Sequence, residues 1–73
     1  MSDEELDELI LSRLRNRREQ FGRNELTDAT QSTTDLAASF NEPEPRVEAR
    51  VLQLAAEHRI EESPALPGRW MLA

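Results

Sequence analysis

Apolar residues recur along this chain in two rhythms, a helical one over the first four-fifths and an alternating one near the C-terminus. From position 3 to about 18, Leu6, Ile10 and Leu14 are four apart, and Leu9 widens their stripe to a core-facing band. Leu11 falls off that band and is expected to meet Phe21 or a partner. Ser2 and Glu5 stand three apart just ahead of the stripe, the spacing of a capping box, and Gly22 is a natural stop. The stretch NELTDATQ has no period. Leu26 is expected to plug the core there, and residues 29–31 to form a short strand.

A second helix is expected over 33–40, capped by Ser32 with Asp35 three residues on. Leu36, Ala37 and Phe40 share one of its faces. Asn41 tolerates the left-handed backbone of a sharp turn. Pro43 and Pro45 follow where a new helix can begin without losing a helical hydrogen bond, with Asn41 or Glu42 as its cap. This third helix spans 43–58, and its inner face carries Val47, Val51, Leu54 and His58, with Ala55 beside them. His58 reads as an end-of-helix residue, favoured near the negative pole of the dipole. Two strands, 59–63 and 69–73, then flank the turn-rich loop Ser63-Pro64-Ala65-Leu66-Pro67-Gly68. Ile60 and Trp70 or Leu72 would close over the core. Trp70 otherwise offers a stacking face for a base or sugar.

Composition narrows the function classes. Seventy-three residues make a single domain, 1–73, with one thin core. There is no cysteine and one histidine, so disulfides and thiolate zinc sites are excluded, and no metal or cofactor is expected. A nucleophile–base pair and a glycine-rich phosphate loop are both missing, which argues against an enzyme. No apolar run approaches the ~20 residues that span a bilayer, and the N-terminus is acidic where a secretory signal is basic. The expectation is a soluble, cytoplasmic chain with no membrane partner.

Charge is distributed unevenly around the net value of −6. Residues 1–12 hold Asp3, Glu4, Glu5, Asp7 and Glu8 and no base. Residues 13–23 hold Arg13, Arg15, Arg17, Arg18 and Arg23 against Glu19. Acid then base along one helix suits the macrodipole, while the same arginines would serve as a phosphate-contacting patch.

Short helix, tight turn, longer helix and two-stranded flap are the skeleton of a winged helix-turn-helix. The expected class is therefore α+β, mostly α, with three helices plus a C-terminal two-stranded wing. STTDLAASF followed by PRVEARVLQLAAEHRI resembles the paired helices of small prokaryotic and phage winged-helix regulators over roughly residues 4–73. A narrower likeness is to the Z-form nucleic-acid-binding winged helices of RNA-editing adenosine deaminases, where a proline-bearing wing also precedes a tryptophan. That family presents asparagine and tyrosine from its third helix and lysines near the helix start. Here Glu48, Leu52, Glu44 and Pro45 stand instead, so only the fold carries over.

The resemblance implies a dimeric DNA-binding transcriptional regulator whose third helix enters double-stranded DNA. Arg46, Ala49, Arg50 and Gln53 would then contact bases and phosphates, with Arg69 on the wing meeting the backbone. The outward residues Pro45, Ala49, Leu52 and Ala56 point to an alternative. They form an apolar stripe suited to a protein partner or to self-association, without DNA binding.

Overall fold

A computed structural model describes residues 1–73 as α1 (Asp3–Gly22), β1 (Gln31–Ser32), α2 (Thr33–Phe40), α3 (Glu44–Ala56), β2 (Ile60–Glu62) and β3 (Arg69–Leu72). The protein is α+β and mostly helical. The capping box at α1 is complete: Ser2 Oγ accepts from the Glu5 amide at 3.1 Å, and Glu5 Oε1 accepts from the Ser2 amide at 3.4 Å. Ser2 thereby fixes where the helix starts. At the other end α1 runs past 18 to Gly22, the residue expected to stop it, so Arg13, Arg15, Arg17 and Arg18 fall inside the helix ahead of its last turn and Arg23 is the C-cap. The macrodipole accounts for Asp3, Glu4 and Glu5 in the first turn and for Arg23 at the C-cap, and not for the arginines further back along the helix.

All three helices end in the same way, and none uses a glycine. Asn24, Asn41 and His58 each take a left-handed backbone, with φ of 62°, 54° and 61°. After α1 the Glu25 amide reaches back to the Gln20 carbonyl at 2.9 Å. After α2 Glu42 reaches Ala37 at 3.1 Å, and after α3 Arg59 reaches Leu54 at 3.0 Å. These long backward bonds satisfy carbonyls that a helix end leaves free. His58 is therefore not on the inner face of α3, which stops at Ala56; it is the exposed reversal after it. Relieving a β-carbon from this backbone should stabilise the fold. We expect His58→Gly to gain about 1 kcal/mol in urea unfolding. A loss of stability would show that the imidazole itself holds the turn.

The start of α3 also differs from expectation. Its cap residue is Pro43 rather than Asn41 or Glu42, no side chain caps it, and Pro45 sits in the first turn. At α2 Ser32 Oγ accepts from the Asp35 amide at 3.0 Å as expected, but the Asp35 carboxylate turns to Arg69.

One apolar cluster joins the elements: Leu6, Ile10, Leu11 and Leu14 from α1, Leu36 and Ala37 from α2, Val47, Val51 and Leu54 from α3, and Ile60 from β2. Phe40, Ala55, Trp70 and Leu72 pack against it half-buried, so Trp70 serves as a core lid. Each large side chain fully withdrawn from water contributes about 1.5–3 kcal/mol. On α1 the flanks of the stripe are exchanged relative to the sequence reading: Leu11 is buried and Leu9 is 38% exposed. Leu26 is half-buried and lies outside the cluster.

The sheet has three antiparallel strands in the order β1-β3-β2, not two. The first strand covers Gln31–Ser32 instead of 29–31 and pairs Gln31 with Trp70 and Ser32 with Arg69. On the other edge of β3, Ile60 opposes Leu72 and Glu62 opposes Trp70, which puts the apolar members on one face. The connecting loop turns at Gly68, with φ of 81°, whose amide donates to Glu62 Oε2 at 2.7 Å.

Candidate functional site

The fold displays one face of α3. Val47, Val51 and Leu54 are fully buried, so the opposite side of the same helix must point to solvent. Thr34 Oγ1 donates to Glu44 Oε1 at 2.8 Å and ties the first turns of α2 and α3 together. The exposed side carries Pro45, Ala49, Leu52 and Ala56 in a row, with Leu52 53% exposed. At 1.5 Å per residue this row is roughly 16 Å long. Glu44, Glu48, Gln53 and Glu57 flank it, all exposed. The four residues expected to meet a partner thus share one surface.

The five residues expected to meet DNA are not gathered in the same way. Ala49 lies in the apolar row. Gln53 donates to Glu57 Oε2 at 3.0 Å. Arg50 turns toward α1 and makes two parallel bonds to Asp7, 2.8 Å each, with Asp3 at 3.7 Å. Asp7 holds the Arg50 guanidinium above its ordinary pKa, mainly by this hydrogen bonding, against an opposing effect of desolvation. Arg46 donates to Glu42 at 3.1 Å, to Asp3 at 3.4 Å and to the Met1 carbonyl.

Arg69 is spent within the fold as well. Its Nε donates to Thr30 Oγ1 at 2.7 Å and its Nη2 to the Thr30 carbonyl at 3.2 Å, with Asp28 at 3.9 Å and Asp35 at 3.6 Å. The Thr30 hydroxyl in turn donates to Asp28, as does the Thr30 amide at 2.8 Å. These two bonds hold the Asp28 carboxyl below its ordinary pKa of 3.8, helped by the charges of Arg69 and Arg17. Asp28, Thr30 and Arg69 together fasten the segment before β1 to the hairpin.

The arginines of α1 do not all share one face. Arg17 pairs with Asp28 at 3.9 Å, and Arg23 pairs with Glu25. Arg13, Arg15 and Arg18 have no carboxylate within 4.0 Å, but a helix turns by about 100° per residue, which sets Arg13 and Arg15 roughly 160° apart. Arg18 faces a groove of about 300 Å³ between α1 and the sheet, lined also by Phe21, Ala29, Glu61, Met71 and Leu72. Ala73 completes the lining, in which Arg18 and Glu61 are the only charged side chains.

The sequence does not pair Arg46, Arg50 and Arg69 with the carboxylates that claim them. A signal existed for two of them: Asp3 and Asp7 are four apart in the first helix, as Arg46 and Arg50 are in the third. No group of three or more His, Asp or Glu side chains is placed to hold a metal ion, and no helix is long and apolar enough to cross a membrane. Comparison with protein-family models, with curated proteins and with solved structures gives no match for this chain.

Proposed function

We propose that this chain is a winged-helix domain that works by binding another protein along the outer face of α3. The order α1-β1-α2-α3-β2-β3 and the strand order β1-β3-β2 support the winged-helix reading. One observation carries the choice of partner. The exposed face of α3 offers an apolar row between carboxylates, while its two arginines, Arg46 and Arg50, are paired with Asp3, Asp7 and Glu42. A groove-reading helix needs cations and hydrogen-bond donors free to meet phosphates and base edges. This helix presents Pro45, Ala49, Leu52 and Ala56 instead.

A second reading keeps double-stranded DNA as the partner, with Arg46, Ala49, Arg50, Gln53 and Arg69 in contact. It is favoured by the position of Arg46, whose side chain is 31% exposed and whose partner Asp3 is 64% exposed. Exposed pairs of this kind are worth only about 0–1 kcal/mol, so a phosphate could replace the carboxylate.

A salt titration with random-sequence duplex separates the two. The expected result is no binding tighter than about 10⁻⁴ M even at low salt. Tighter binding that weakens steeply with salt, and that Arg46→Glu abolishes, would transfer the function to DNA.

A further inference from the structure

We infer that the partner of the α3 face is a cationic amphipathic helix, one whose apolar row is bordered by lysines or arginines. This inference rests on the protein-binding reading above and adds the chemistry of what is bound. Its basis is the charge left over after every internal ion pair has formed.

On α3, Glu44 and Glu48 have no cation within 4.0 Å; Glu44 accepts from the neutral hydroxyl of Thr34, which leaves its charge uncancelled. Glu57 has one cation within 4.0 Å, Arg59 at 3.8 Å, and accepts from the neutral amide of Gln53. Asp3 and Asp7 bring the first turns of α1 against Arg46 and Arg50. Glu4, Glu5 and Glu8 in the same part of α1 are exposed and form no ion pair, so they add no cation to this end of the molecule. The arginines without a carboxylate, Arg13, Arg15 and Arg18, all belong to the later part of α1. The apolar row is thus bordered by unpaired negative charge at Glu44 and Glu48 and by the weakly paired Glu57, while the unpaired arginines lie on α1.

This arrangement discriminates among occupants. Nucleic acid and anionic lipid surfaces carry the same sign as the rim and are repelled. A second copy brings another net charge of −6. A helix with basic flanks gains on both counts, because its apolar side chains cover Leu52 while its cations meet Glu44, Glu48 and Glu57. Small residues at Ala49 and Ala56 leave room for it to approach closely.

The test uses two labelled synthetic helical peptides with the same apolar row, one flanked by lysine and arginine and the other by glutamate. Each is titrated by fluorescence anisotropy against the full chain and against Leu52→Asp and Glu44→Gln/Glu48→Gln. The cationic peptide should bind at least about tenfold tighter than the acidic one, and this preference should shrink with salt and in Glu44→Gln/Glu48→Gln. Leu52→Asp should abolish binding. That substitution adds a negative charge, so an association that was merely electrostatic would strengthen instead.

Equal binding of both peptides, lost in Leu52→Asp, would overturn the cationic class and leave the protein-binding reading standing. Binding of the cationic peptide that survives Leu52→Asp would overturn the inference, as would no binding of either peptide. Self-association of the unmutated chain in sedimentation, lost in Leu52→Asp, would assign the face to a second copy and overturn it too. Circular dichroism of each variant, matched to the parent, ensures that a lost signal is a lost contact.

Discussion

Replacing Leu54 by alanine is expected to cost about 3 kcal/mol, while Leu52→Ala, two positions earlier on the same helix, should cost less than about 0.5 kcal/mol. Leu54 is fully buried in the shared cluster, and Leu52 is 53% exposed. Truncation at 54 removes apolar burial and leaves a cavity between α3 and its neighbours that close packing cannot fill. A chain of this length has a total stability of roughly 4–11 kcal/mol, so the change takes a large share of it and lowers the melting temperature sharply. Urea unfolding of both variants measures the contrast. Equal losses at 52 and 54 would mean that α3 does not show its Pro45–Ala49–Leu52–Ala56 side to solvent, and the docking surface would fall with that orientation.

The second large effect concerns Arg69, which a DNA-binding role would leave free and the fold does not. Arg69→Met keeps the stem of the side chain but removes the donors to Thr30 and the charge facing Asp28 and Asp35. Hydrogen bonds involving a charged group are worth about 1.5–3 kcal/mol, and we expect a loss near 2 kcal/mol at pH 7. The same network makes stability depend on pH. Asp28 has a depressed pKa in the folded chain, so its contribution is complete above its unfolded value and disappears as pH falls through the folded one. Stability should therefore drop below about pH 4, and Asp28→Asn should flatten that part of the profile. Because the Thr30 bonds are the largest cause of the shift, Arg69→Met should flatten it only partly. An unchanged melting temperature in Arg69→Met would return this arginine to the set available for phosphate.

Local chemistry made much of the architecture readable. Ser2 with Glu5 marks the start of α1 because the pairing needs only two residues three apart. Asn41 marks the reversal between α2 and α3 because few side chains tolerate that backbone. Val47, Val51 and Leu54 give the inner face of α3, and with it the outward row of Pro45, Ala49, Leu52 and Ala56. His58 stands at the helix end, as its position near the negative pole suggests, but off the inner face: by helical period it belongs with Val47 and Val51, whereas helix length depends on where the chain must reverse to form β2. The three-stranded sheet was only half legible. Two residues at 31–32 carry too little pattern to specify a partner, and β3 is what recruits them.

What the sequence determined by itself is what is set within a few residues: where the side-chain-capped helices α1 and α2 begin, which helical positions are apolar, and where the hairpin turns. What only the tertiary structure decided is which of two equivalent local choices is used. Leu9 and Leu11 flank Ile10 symmetrically on the helix surface, and burial of Leu11 was settled by the side on which the remaining elements pack. Likewise, an arginine is equally able to meet a carboxylate or a phosphate. Arg46, Arg50 and Arg69 meet carboxylates because folding brings Asp3 and Asp7 against α3, and Asp28 and Asp35 against β3, from positions far away in the chain. Charge pairing acts through space rather than along the sequence, so the face left for function emerges only once the helices are packed.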